Sequence, residues 1–139
     1  MFRNILVPVD LTEKNRAATS AALELADSEG GVVHLLHVIE TIRGIEFEQL
    51  KGFYEELHAK AESTMQQWVG ELSSAGSNVR MTVVYGRRAA EIVAYADDKG
   101  CDLIVLASHR VDEERPAAGL GTISHQVALV AGCAVLLLR

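Results

Sequence analysis

Apolar residues fall along this chain in two alternating kinds of run. Short stretches are hydrophobic on both faces: Asn4 to Val9, Val32 to Ile39, Asp102 to Ala107 and Ala134 to Leu138. Runs of this kind suit central parallel strands covered by helices on each side. Val79 to Tyr85 is a fifth strand, with Arg80 and Thr82 on the same face as Val84, a mixture that suits a sheet edge. Between the strands the apolar spacing changes to three and four, the period of an amphipathic helix. Thr12 is expected to cap the first helix, whose inner face is Ala18, Ala21, Ala22 and Leu25 and which Gly30-Gly31 would stop. The second and longest carries Phe47, Leu50, Tyr54, Leu57, Ala61, Met65, Trp68 and Leu72 on one side, with Glu48, Lys51, Glu55, Glu62 and Glu71 opposite. This stripe, Trp68 included, reads as a core-facing helix. Arg87-Arg88 open a third helix over Ala89, Ile92, Val93 and Ala96. A glycine-flanked turn, Gly119 to Thr122, leads into the fourth.

Strands thus alternate with helices from end to end. Right-handed crossovers then give an α/β, doubly wound parallel sheet, Rossmann-like, with helices on both faces. No linker, low-complexity run or internal repeat interrupts the 139 residues, which are expected to form one domain, 1–139. Pro8 lacks a donor and belongs at the C-terminal end of its strand, which places Asp10 just beyond it.

Composition narrows the function. With 49% hydrophobic and 23% charged residues the profile is that of an ordinary globular protein. A formal charge of −6 argues against a nucleic-acid or anionic-membrane surface. No run approaches the ~20 apolar residues of a membrane span, and the N-terminus lacks the marks of a signal peptide. The expectation is a cytoplasmic protein. Cys101 and Cys133 form no metal or disulfide pattern and read as small hydrophobes. His34 and His37 are separated by an odd number of residues, so they point to opposite sheet faces and cannot share a metal there.

In a doubly wound sheet ligands bind outside the C-terminal ends of the strands, where the winding reverses. Asp10, Val38 to Glu40 and the segment from Ala107 onward arrive there. Apolar strand, loop and glycines opening a helix is also a layout in which backbone amides can hold phosphate. Two arginines opening a helix oppose its dipole and could serve an anion, but solvated side chains are the plainer reading. No Walker sequence and no GxGxxG after the first strand is present, and no carboxylate is placed to orient His109 for hydrolysis.

The order of these pieces resembles the universal stress protein family over essentially the whole chain. The matching segments are Ile5 to Asp10, Leu36 to Val38, Gly86 with Ala89 and Ile92, Cys101 to Val105, Ser108-His109, Gly119 to Thr122 and Ala134 to Arg139. The resemblance implies a five-stranded parallel sheet in the order 3-2-1-4-5. It implies a homodimer paired through the last strand, Ala134, Val135, Leu136, Leu137 and Leu138. It also implies, for one branch of the family, ATP or ADP with Mg²⁺. Carried over by residue, the nucleotide site would comprise Pro8, Val9 and Asp10, then Val38, then Ala107, Ser108, His109, Arg110, Gly119, Gly121, Thr122, Ile123 and Ser124. Asp10 would meet the metal only through the nucleotide. The family's phosphate loop, G-x2-G-x9-G-[ST], is altered here. Ala107 and Arg110 stand at the first two glycines, ten residues separate Arg110 from Gly121, and Asp112, Glu113 and Glu114 make the segment acidic. Three readings follow: a nucleotide-binding regulator, a dimeric interaction module of the same family without nucleotide, and, resting on His109 alone, slow ATP hydrolysis.

Overall fold

Parallel strands must pair in register with partners that lie far away in the chain, so the first question is how the five apolar runs meet. The computed structural model describes residues 1–74, 77–108, 114 and 122–139. Its strands are β1 (Asn4–Pro8), β2 (Val32–Glu40), β3 (Val79–Gly86), β4 (Leu103–Ala107) and β5 (Ala134–Leu138). Its helices are α1 (Lys14–Leu25), α2 (Lys51–Leu72), α3 (Arg88–Asp98) and α4 (Ile123–Val130), with a 3₁₀ turn, Phe47–Leu50, leading into α2. The sheet is wholly parallel in the order β3-β2-β1-β4-β5.

Strand alternation divides the interior in two. Ile5, Val7, Val33, Leu35, Leu103 and Val105 point to one side and pack with Ala18, Ala22, Ala61, Met65 and Trp68 of α1 and α2. Leu6, Leu36, Val38, Ile104 and Leu106 point to the other and pack with Ile92, Ala96 and Val127 of α3 and α4. Each fully buried Leu, Ile or Val contributes about 1.5–3 kcal/mol relative to an exposed one. Cys101 belongs to the second core, and burial, with Cys133 and Asp102 nearby, pushes its thiol up to about 11. It is a protonated packing group.

The face of α1 differs from expectation. Ala18 and Ala22 are buried, but their neighbours on the stripe are Asn15 and Thr19, while Leu25 is exposed and Ala21 only partly covered. Thr19 satisfies its hydroxyl by donating to the Asn15 carbonyl at 2.7 Å, so two short polar residues fit where apolar ones were sought. The helix ends at Leu25, before the glycines. Gly31 has a different reason to be glycine: a Cβ there would lie 2.4 Å from the Asp27 carbonyl oxygen. At the start of α2, Phe47 lies in the 3₁₀ turn and is exposed, stacking on Tyr54 at 5.0 Å between ring centroids.

β3 and β5 are the two sheet edges. β3 mixes exposed Arg80 and Met81 with partly buried neighbours, as its sequence suggested. β5 is apolar, and among the described residues no strand lies on its outer side. His34 is buried against α3, where its Nδ1 meets the Tyr95 hydroxyl at 3.0 Å and its Nε2 the Asn4 side-chain oxygen at 3.4 Å. The amide oxygen can only accept, so Nε2 carries the proton and Nδ1 accepts from Tyr95. Burial, helped by the charges of Arg80 and Lys99, lowers the His34 pKa and keeps the ring neutral. His37 instead donates from Nδ1 to the Val9 carbonyl at 2.7 Å. No described helix is long and apolar enough to cross a membrane.

Candidate functional site

Winding reverses between β1 and β4, and there the sheet opens. β1 pairs with β2 along five residues, Asn4 to Pro8, but with β4 only at Ile5 and Leu6. Beyond those two positions the strands part at their C-terminal ends, as a doubly wound sheet requires at its switch point. The cleft between them has a cavity volume of about 80 Å³ and opens to solvent at its mouth. Its floor is apolar, made by Leu36, Val38, Leu106 and Ile92 of the second core together with Pro8 and Val9. Asp10, Asn15, Arg88 and Ser124 bring the polar groups, and Ala107 and Ile123 complete the wall. An apolar floor with a few convergent polar side chains is the usual form of a small-molecule site.

The loop after β1 fixes Asp10 tightly. Asp10 Oδ1 accepts from the Thr12 amide at 3.0 Å and from the Thr12 hydroxyl at 2.6 Å, while the Asp10 amide donates to Asn15 Oδ1 at 2.6 Å. Thr12 therefore does not cap α1 with its side chain, because the hydroxyl is turned to Asp10; Glu13 holds the N-cap position without a side-chain bond. Between them Leu11 has φ 72°, the left-handed region that costs a non-glycine residue about 1–2 kcal/mol. Burial acts to raise the Asp10 pKa. The Thr12 hydroxyl and amide, the Arg88 charge and the residue's own amide outweigh it and hold the carboxyl below its usual range. Asp10 is thus ionised, and its Oδ2 makes no hydrogen bond among the described residues.

Across the cleft, α4 begins with Thr122 as N-cap, its hydroxyl accepting from the His125 amide at 3.3 Å. Ser124 Oγ lies 3.3 Å from Thr122 Oγ1 and 3.2 Å from Ser108 Oγ. The Ser108 amide donates to the Leu138 carbonyl at 2.6 Å, tying this wall to β5. Of the residues singled out by sequence, Pro8, Val9, Asp10, Val38, Ala107, Ile123 and Ser124 line the cleft. Ser108 and Thr122 stand behind Ser124 in the hydroxyl cluster. His109, Arg110, Gly119 and Gly121, with Asp112 and Glu113 of the acidic segment, lie outside the described residues; Glu114 is exposed.

Sequence reasoning missed Asn15 and Arg88. Asn15 is a poor helix former at the second position of α1, a signal that its side chain had other work. Arg88 was read as solvated, yet it lines the cleft, and its Nε lies 3.9 Å from Glu40 Oε1 at the end of β2. Among the described residues no group of three His, Cys, Asp or Glu gathers to hold a metal.

This architecture has close counterparts. The universal stress protein family model matches residues 1–139, and the chain belongs to that family. Universal stress protein YxiE of Bacillus subtilis is 28% identical over 150 residues, covering 100% of both chains. The solved structure of MJ0577, a universal stress protein of Methanocaldococcus jannaschii, superposes with a TM-score of 0.81 at 28% identity, over 99% of this chain and 96% of that one. The Archaeoglobus fulgidus universal stress protein in complex with dAMP shares the fold at a TM-score of 0.64 and 18% identity, over 99% of this chain and 98% of its own.

Proposed function

We propose that this stress protein binds an adenine nucleotide, ADP or ATP, in the cleft at the ends of β1, β2 and β4 and acts as a cytoplasmic regulator. One observation carries the reading: an apolar cleft at the switch point, with ionised Asp10 on one wall and Ser124, at the start of α4, on the other. Adenine is a flat apolar ring with polar edges and suits the floor of Leu36, Val38 and Leu106. Phosphates then extend toward the mouth, where Ser124 donates a hydroxyl beside the first turn of α4. The dAMP held by the Archaeoglobus protein supports adenine nucleotides as the ligand class to try. Mg²⁺ takes one or two carboxylates besides phosphate oxygens and waters, and Asp10 Oδ2 fits as that carboxylate. The ion would neutralise phosphate charge. Calorimetric titration with ADP and Mg-ATP to millimolar concentration should give a saturable heat and a rise in Tm. Silence in both would remove the reading.

A second reading is favoured by a specific surface. β5 is an apolar edge, and Leu129 and Val130 of the neighbouring α4 are 72% and 63% exposed. Uncovered strands of this kind invite pairing, which supports a homodimer through Ala134 to Leu138, with or without nucleotide. Sedimentation should give twice the chain mass; a monomer at tens of micromolar removes this reading.

A further inference from the structure

We propose that Arg88 is the phosphate clamp of the cleft and that Glu40 is the carboxylate from which it is released when a nucleotide enters. The inference rests on the nucleotide reading above and assigns a charged residue to that same site. Arg88 occupies the first position of α3, where the helix dipole disfavours a cation. Its side chain nevertheless lines the cleft, with Asp10 close enough for the two charges to lower the Asp10 pKa. Its Nε is 3.9 Å from Glu40 Oε1, at the limit of an ion pair, and both side chains are about half exposed. Such a pair is weak, commonly worth less than a twofold to fivefold preference. A guanidinium can leave it at little cost for a phosphate, which offers two oxygens to its planar fork.

The charge balance points the same way. Asp10, Glu40 and Arg88 together carry −1, and a polyphosphate entering beside Asp10, with Glu40 next to Arg88, meets repulsion unless a cation faces it. Arg88 is the guanidinium lining the described part of the cleft. Turning from Glu40 to phosphate removes one attraction to a carboxylate and gains a bidentate contact to a more highly charged anion. Glu40 thereby sets how readily the clamp is released.

Isothermal titration of ADP, and of adenosine as the ligand without phosphate, into wild type, Arg88→Ala, Arg88→Lys and Glu40→Gln tests this. Arg88→Ala should weaken ADP about tenfold or more and leave adenosine unchanged, with no fall in Tm. Arg88→Lys should recover part of the loss, since it restores charge without the fork. Glu40→Gln should strengthen ADP about two- to fivefold and leave adenosine unchanged. The clamp is overturned if Arg88→Ala binds ADP like wild type, if it weakens ADP and adenosine equally, or if Glu40→Gln weakens ADP. Wild type binding ADP and adenosine with equal affinity would remove the clamp while leaving the nucleotide reading standing. Wild type binding neither would remove both.

Discussion

Two aspartates stand beside the ends of the central strands β1 and β4, at opposite ends of the sheet, and they are used differently. Asp102, just before β4, engages both oxygens: Oδ2 accepts from the Arg3 amide at 2.9 Å and Oδ1 from the Asn4 amide at 3.1 Å. Its own amide donates to the Asn4 carbonyl at 2.9 Å. It sews together two strands nearly a hundred residues apart in the chain. The carboxylate of Asp10, just after β1, bonds only to Thr12, two residues away, and through one oxygen. Those bonds shape its own loop around strained Leu11 and leave Oδ2 without a protein partner among the described residues. The lesson is that identical side chains at strand ends are told apart by what they hold. Distant backbone marks a joint, and a purely local turn with capacity left over marks a site.

The contrast can be broken or sharpened by substitution. The largest effect is expected at the structural end, from Gly31→Ala. The new methyl meets Asp27 backbone at 2.4 Å, so the turn must move, at a cost of about 2–3 kcal/mol by urea denaturation. A loss below about 0.5 kcal/mol would show that the turn adapts freely. Asp102→Ala comes next. Losing two charge-assisted bonds to backbone amides should cost about 1–3 kcal/mol while ADP affinity stays within twofold. A larger fall in affinity would mean that the two sheet ends are coupled. The smallest effect belongs to Asp10→Asn. Asp10 is held below its ordinary pKa, so its contribution is complete above about 3.8 and is lost as pH falls through the lower folded value. Wild type should therefore lose stability on that descent slightly faster than Asp10→Asn, with near-equal Tm at pH 7. Parallel acid limbs in the two proteins would mean that the carboxylate contributes nothing to the fold.

The strands and their edges were legible because short apolar runs and the change to a helical spacing of three or four survive in almost every element. The mixed polarity of Val79 to Tyr85 marked an edge strand, and the structure puts β3 there. Helix α1 resisted because its buried stripe contains Asn15 and Thr19, whose polar identity conceals a packed position. Thr12 misled for a related reason. A hydroxyl before a helix can accept from a helix amide or donate to the residue two places earlier, and only three dimensions show which it does. At the site, Pro8, Val9, Asp10, Val38, Ala107, Ile123 and Ser124 follow from where strands end. Arg88 does not, because the direction of a long side chain leaving a helix start is set by neighbours from other elements, here Asp10 and Glu40. His109, Arg110, Gly119 and Gly121 lie outside the described residues, so the altered glycine loop is known by its sequence.

Alternation along the strands makes residue parity a map of independence. In β1, β2 and β4 odd positions feed the compartment under α1 and α2, and even positions feed the one that floors the cleft. In β5 the assignment inverts, with Val135 and Leu137 on the cleft side. Neighbours in sequence such as Leu35 and Leu36, or Val105 and Leu106, therefore occupy separate rooms. Selection can retune the cleft-facing room at one position while the load-bearing room next to it stays untouched.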